Sequence, residues 1–204
     1  MRYLGLPLLL VMAACLPAGS VDSPVAVPAP ATRAGTTHFD AAVARVLPVA
    51  TDICEMQRPD ARCDFKVVID RRYKVTPNAY QTVDAEGRPV LGVTEGLLAL
   101  VANSDELAFV LAHEAAHHIA GHRGETALRL LQHRAPVMPA PDDLRRTELA
   151  ADAMGVAIAR AAGFDPLRGA RFFLRLPDPG QAAQATHPDH QTRWRNVTQA
   201  AAAR

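Results

Sequence analysis

The stretch Asn103-Ser104-Asp105-Glu106-Leu107-Ala108-Phe109-Val110-Leu111-Ala112-His113-Glu114-Ala115-Ala116-His117 decides how this chain is read. Asn103 followed three residues later by Glu106 resembles a capping box, so a helix is expected to open there. It runs through Leu107, Val110, Leu111 and His117 and stops near Gly121. Residues four apart on a helix lie on one face, one turn apart. Two imidazoles so placed, His113 and His117, can both reach one zinc ion at about 2.0–2.1 Å. Glu114 sits beside them but off the line of ligands. It can hold a water, take its proton and pass it to a leaving amine. Leu107, Phe109, Val110, Leu111 and Ile119 supply packing, and Ala115 and Ala116 leave room.

A catalytic zinc needs a third protein ligand and an open position. Glu148-Leu149-Ala150-Ala151-Asp152 offers one on a separate helix, with Glu148 as the ligand. Asp152, one turn on, faces the same way and can accept the second ring N–H of His113, fixing its tautomer. An acidic pair at this spacing is otherwise mildly unfavourable, which argues for a role over a merely solvated helix face. A three-histidine site reaching His122 fails by one position: it requires Gly at 120 and His at 123, where the chain has Ala120 and Arg123. His118 and His122 are therefore read as satisfied or solvent-facing, and His38, His133 and His190 as surface residues.

Outward from this core, Phe39 to Cys54 has helical apolar spacing, with Pro48 suggesting a kink or break. Asp64 to Asp70, Asn78 to Val83 and Pro89 to Thr94 read as strands, the last two joined by the turn-like Asp84 to Arg88. Thr94 is a candidate cap for a short helix over Gly96 to Ala102. Pro136 to Pro141 reads as a loop, and Arg145 to Ala162 as a long helix ended by Gly163. Asp165-Pro166 starts a further helix carrying Phe172, Phe173 and Leu176, and Asp189 to about Ala202 is the last. The order predicts an α+β fold, mostly helical, with a small antiparallel sheet on one side.

The 204 residues suit one domain, and 49% are apolar. A net charge of +1 without a basic run speaks against a nucleic-acid partner, which needs clustered Lys and Arg. Residues 1–14 read as a signal peptide: Met1-Arg2 gives a positive start, and Tyr3 to Ala14 is an apolar run short for a bilayer span. Met12-Ala13-Ala14-Cys15 resembles a bacterial lipobox, with Cys15 as the lipidated residue; an ordinary cleaved signal is the alternative. Leu16 after it carries no inner-membrane retention signal, which leans the address to the periplasmic side of the outer membrane. Residues 15–37, rich in Pro and Ala, read as a tether, and 38–204 as the folded domain. Cys54 and Cys63 remain as an even pair, either a disulfide or two buried thiols.

Several spaced segments together resemble a known family. Asn78-Ala79-Tyr80, Gly92 to Leu98, Asp105 to Glu114, Glu148 to Asp152, and Thr186-His187-Pro188 with Arg193 are similar to the HtpX and CAAX-prenyl-protease-related gluzincins, peptidase family M48. The resemblance covers roughly Asn78 to Asn196. It implies a zincin-like metallopeptidase fold, one Zn2+ on His113, His117 and Glu148, and Glu114 as base. It also implies that His187 or Arg193 stabilises the oxyanion, an interaction worth several kcal/mol, or that His187 gates the metal. His187 merely opening the last helix is the plain alternative. Further, Pro89 to Thr94 becomes an edge strand whose Leu91, Gly92 and Val93 pair with extended polypeptide substrate. The short chain and the absence of a later hydrophobic span turn the expectation from prenylated peptides towards unfolded or misassembled envelope proteins.

Two functions fit these residues. One is a metalloendopeptidase with zinc-activated water. The other is a chaperone-like binding module using the same groove with little cleavage. A structural zinc domain fits less well, because two histidines and one glutamate leave a coordination position open.

Overall fold

A computed structural model of the chain describes residues 33–72, 76–122, 140–178, 180 and 186–203, with side chains from residue 37 onward. The expected signal segment, Cys15, most of the tether, His133 and the proline-bearing stretch up to residue 139 lie outside the described residues.

Helix α1 (Arg33–Gln57) leads into strand β1 (Lys66–Asp70). Strands β2 (Ala79–Val83) and β3 (Pro89–Thr94) follow, then helices α2 (Glu95–Leu100) and α3 (Ser104–Ile119). The second half holds α4 (Pro141–Ala161), α5 (Pro166–Ala170), a 3-10 turn (Arg171–Arg175) and α6 (His190–Ala202). Among the described residues no helix is long and apolar enough to cross a membrane.

Pro48 does not break α1, which runs through it. Val46, Ala50 and Cys54 keep a continuous buried stripe on either side of it, and that burial offsets the missing backbone hydrogen bond. Cys54 and Cys63 are joined as a disulfide with their Cα atoms 5.7 Å apart.

The α+β architecture is as expected, but the sheet is mixed. Its order is β1-β3-β2. β2 and β3 form an antiparallel hairpin, with Gln81 opposite Leu91. β1 runs parallel to β3, with Val68 opposite Gly92. β1 and β2 thus lie on opposite sides of β3. All six residues of β3 are buried, as a strand covered on both faces requires. The expected edge strand is therefore the central one. The backbone of Leu91, Gly92 and Val93 is paired on both sides, so it cannot take up a substrate strand.

α3 is the hub. Leu107, Phe109, Leu111, Ala112, Ala115, Ala116 and Ile119 are all buried, so the helix is covered nearly all round, as a helix at the centre of a core is. It packs against α1, α4 and α5. Its start is capped by Asn103, whose Oδ1 accepts from the Glu106 N–H at 3.1 Å. Glu106 returns its hydrogen bond to the Ala102 N–H at 2.8 Å, one residue earlier than a standard capping box. The buried Glu106 carboxylate is neutralised by Arg175, at 2.6 Å from Oε1. α4 starts on Pro141 with Asp142 and Asp143 in its first turn, which suits both proline geometry and the helix dipole.

Candidate metal centre

The site lies where α3 and α4 touch. Gly155 makes the contact possible: a Cβ there would stand 3.3 Å from the His113 backbone nitrogen. With α4 so close, Glu148, two turns before Gly155, reaches the histidines of α3.

The ligand atoms converge. His113 Nε2 and His117 Nε2 are 3.1 Å apart. Glu148 Oε2 is 3.3 Å from His113 Nε2, and Oε1 is 3.4 Å from His117 Nε2. Atoms bound tetrahedrally at 2.0–2.1 Å lie about 3.3 Å from one another, so the three groups outline one face of such a shell. Glu148 Oε2 is buried without a well-formed hydrogen bond, which in a native interior calls for an ion or water. These residues fit a metal ion.

Charge is arranged to match. Burial works against a charged His113 ring, but the carboxylates of Asp152 and Glu148 beside it outweigh that and push its pKa up to about 10. Burial and the neighbouring His113 lower His117 to about 3. Burial alone would raise Glu148, yet His113 beside it holds it down to about 2. The carboxylate form of Glu148 and the neutral form of His117 are thus the favoured ones. Glu114 is partly buried, and burial pushes its carboxyl up to about 7. Among the described residues nothing hydrogen-bonds that carboxyl, so it is left for the chemistry.

Behind His113, Asp152 Oδ1 stands 2.9 Å from Nδ1. The ring thus donates its Nδ1–H to Asp152, which leaves Nε2 facing His117 and Glu148. Burial of Asp152 would raise its pKa, but Arg193 and His113 reverse that and lower it.

The late residues divide. His187 is half-exposed, with Nε2 3.5 Å from Glu148 Oε2, so it reaches the rim of the ligand face. Arg193 does not. It is buried on the Nδ1 side of His113 and forks onto Asp152 at 2.8 and 2.6 Å. Its guanidinium also lies 3.5 Å over the Phe173 ring. A role for Arg193 at the oxyanion is therefore replaced by one as support for Asp152.

His118 is satisfied, donating from Nε2 to the Arg62 carbonyl at 2.8 Å. His122 is the residue whose place the sequence did not reveal. Its Nδ1 lies 2.8 Å from His117 Nδ1.

The profile of peptidase family M48 matches residues 40–138. That span includes His113, Glu114 and His117 and ends before Glu148. No curated protein matches the chain.

Proposed function

The chain belongs to peptidase family M48, and from that premise we propose that it is a zinc-dependent endopeptidase acting on extended segments of unfolded or misassembled envelope proteins. Membership makes it a metallopeptidase. The observation that carries the finer reading is the convergence of His113, His117 and Glu148: the two ring Nε2 atoms are 3.1 Å apart, and one Glu148 oxygen lies 3.3 Å from the first while the other lies 3.4 Å from the second. Two imidazoles and one carboxylate are the ligand set of open, catalytic zinc sites rather than closed structural ones.

Zinc held there supplies Lewis-acid polarisation of the scissile carbonyl and makes water a nucleophile near neutral pH. The chain's own residues do the rest. A Glu114 carboxylate oxygen takes one proton from the attacking water as the new C–O bond forms. It returns that proton to the amide nitrogen as the C–N bond breaks. A carboxyl pushed up to about 7 is suited to both halves of that task. Asp152 and Arg193 hold the His113 ring still. His187, at the rim, is assigned the hydrogen bond to the developing oxyanion.

The envelope setting rests on the sequence pattern of residues 1–15, with Cys15 as the lipid anchor holding the domain on the periplasmic face of the outer membrane. The Cys54–Cys63 disulfide is in keeping with an oxidising compartment.

The test uses the purified chain, metal analysis and an unfolded protein substrate. About one zinc per chain and cleavage that stops on chelation are expected. Glu114→Gln should keep the metal and lose cleavage. Undiminished cleavage by that variant would overturn the mechanism.

A further inference from the structure

We infer that His122 is a positioning residue for the metal, accepting the hydrogen bond that holds His117 with Nε2 turned to the ligand face. The inference rests on the reading of His113, His117 and Glu148 as a metal site.

By spacing alone His122 should share a helix face with His118. It does not, because the helix ends first. α3 stops at Ile119, Ala120 caps it, and Gly121 takes a φ of 71°. The Gly121 N–H closes the turn on the His118 carbonyl at 3.0 Å. This left-handed residue, a conformation glycine adopts without strain, swings the chain back. His122 then arrives beside His117 rather than His118.

The two rings meet with centroids 5.0 Å apart and planes at 72°. Their Nδ1 atoms are 2.8 Å apart, a hydrogen-bond distance that requires one shared proton. A neutral His117 that ligates through Nε2 carries its proton on Nδ1. His117 is therefore the donor, and His122 accepts with its own proton on Nε2.

The pair differs instructively from its neighbour. His113 leans on a carboxylate, Asp152, whose charge Arg193 balances. His117 leans on a second imidazole. A second buried carboxylate would add negative charge beside Glu148 and Glu114 and need its own counter-ion. An imidazole fixes the tautomer of His117 without that cost.

The test is zinc(II) titration of the metal-stripped full chain against a chromophoric chelator, with wild type, His122→Ala, His122→Phe and His122→Asn. Loss of an outer hydrogen-bond partner typically weakens metal binding by about 10–100-fold. His122→Ala and His122→Phe should fall in that range, the latter despite filling the space. His122→Asn, whose side-chain oxygen can accept, should recover most of the affinity. The visible absorption of the cobalt(II) form should shift in the first two variants and return in the third. His122→Phe binding zinc as wild type does, or His122→Asn binding as weakly as Ala, would overturn the inference. A wild-type chain that takes up no zinc would overturn the parent reading and this one with it. Wild-type binding with unchanged variants would overturn this one alone.

Discussion

Arg193 grips Asp152 with two nitrogens, at 2.8 and 2.6 Å, although the two residues stand on different helices, α6 and α4. Both are buried. Removing one partner of such a pair leaves the other charged and uncompensated, at a cost of about 3–5 kcal/mol. Arg193→Ala is therefore expected to lower the thermal midpoint of the metal-free protein and to weaken metal binding as well. Arg193→Lys keeps the charge but not the fork, and should fall between. Melting curves with and without added zinc separate the two effects.

Gly155 sets the distance between the ligand helices. A methyl group there meets the His113 backbone at 3.3 Å, and anything larger must push α4 away. Gly155→Val is expected to cost about 1–3 kcal/mol as overpacking and to pull Glu148 off the histidines. Zinc affinity should fall further than in a variant equally destabilised elsewhere. An affinity equal to wild type would show that the helices have slack.

The Cys54–Cys63 loop embraces the far end of α3. Within it, Arg58 Nη1 donates to the carbonyls of His118 and Ile119 at 3.4 and 3.3 Å, and the Arg62 carbonyl accepts from His118 at 2.8 Å. Closing a loop this short contributes roughly 2–3 kcal/mol in the chain-entropy model. Reduction, or Ser at both positions, should lower the urea midpoint by the corresponding amount. Hydrogen exchange at the C-terminal turn of α3 should rise in parallel.

Asp70, at the end of β1, gives the protein an acid-sensitive element in the sheet. Arg72 holds the buried carboxylate at 2.7 Å, and Tyr80 donates to it at 2.8 Å. These hydrogen bonds, that of Arg72 first, keep its pKa well below the ordinary range. A carboxyl depressed by folding adds stability above its unfolded pKa of about 3.9. That stability is lost as pH falls through the folded value. Asp70→Asn should melt lower at neutral pH and lose less on acidification below about pH 4. Equal acid slopes for the two proteins would contradict this.

What the sequence made legible follows from the range of the interactions. The ligand histidines are one helical turn apart, and Asn103 marks where their helix begins, so local rules suffice. Glu148 and Asp152 share a second helix for the same reason. Arg193 meets Asp152 only after α6 packs on α4, and nothing local foretells that pairing. His122 depends on one left-handed residue, Gly121, which reverses the face it would occupy on a continued helix. β3 reads as a strand, but its place between β1 and β2 is a matter of topology. Its run Val90-Leu91-Gly92-Val93, with no polar residue in it, is the sign of a central strand. Pro48 sits within α1 because the buried Val46, Ala50 and Cys54 on either side hold the helix together.

The proposed ligands stand on helices that pack together through apolar surface, with Gly155 against the His113 backbone. Metal is therefore not needed to create the interface, in contrast to small zinc domains that are unfolded without it. Chelation should leave the far-UV spectrum nearly intact, and zinc should restore what was lost. Loading becomes an ordinary binding equilibrium on a standing scaffold. Stability then rises with free zinc, by about 4 kcal/mol at a thousandfold excess over Kd. The population of competent molecules would follow the supply of one ion, with no new synthesis required to switch the pool on or off.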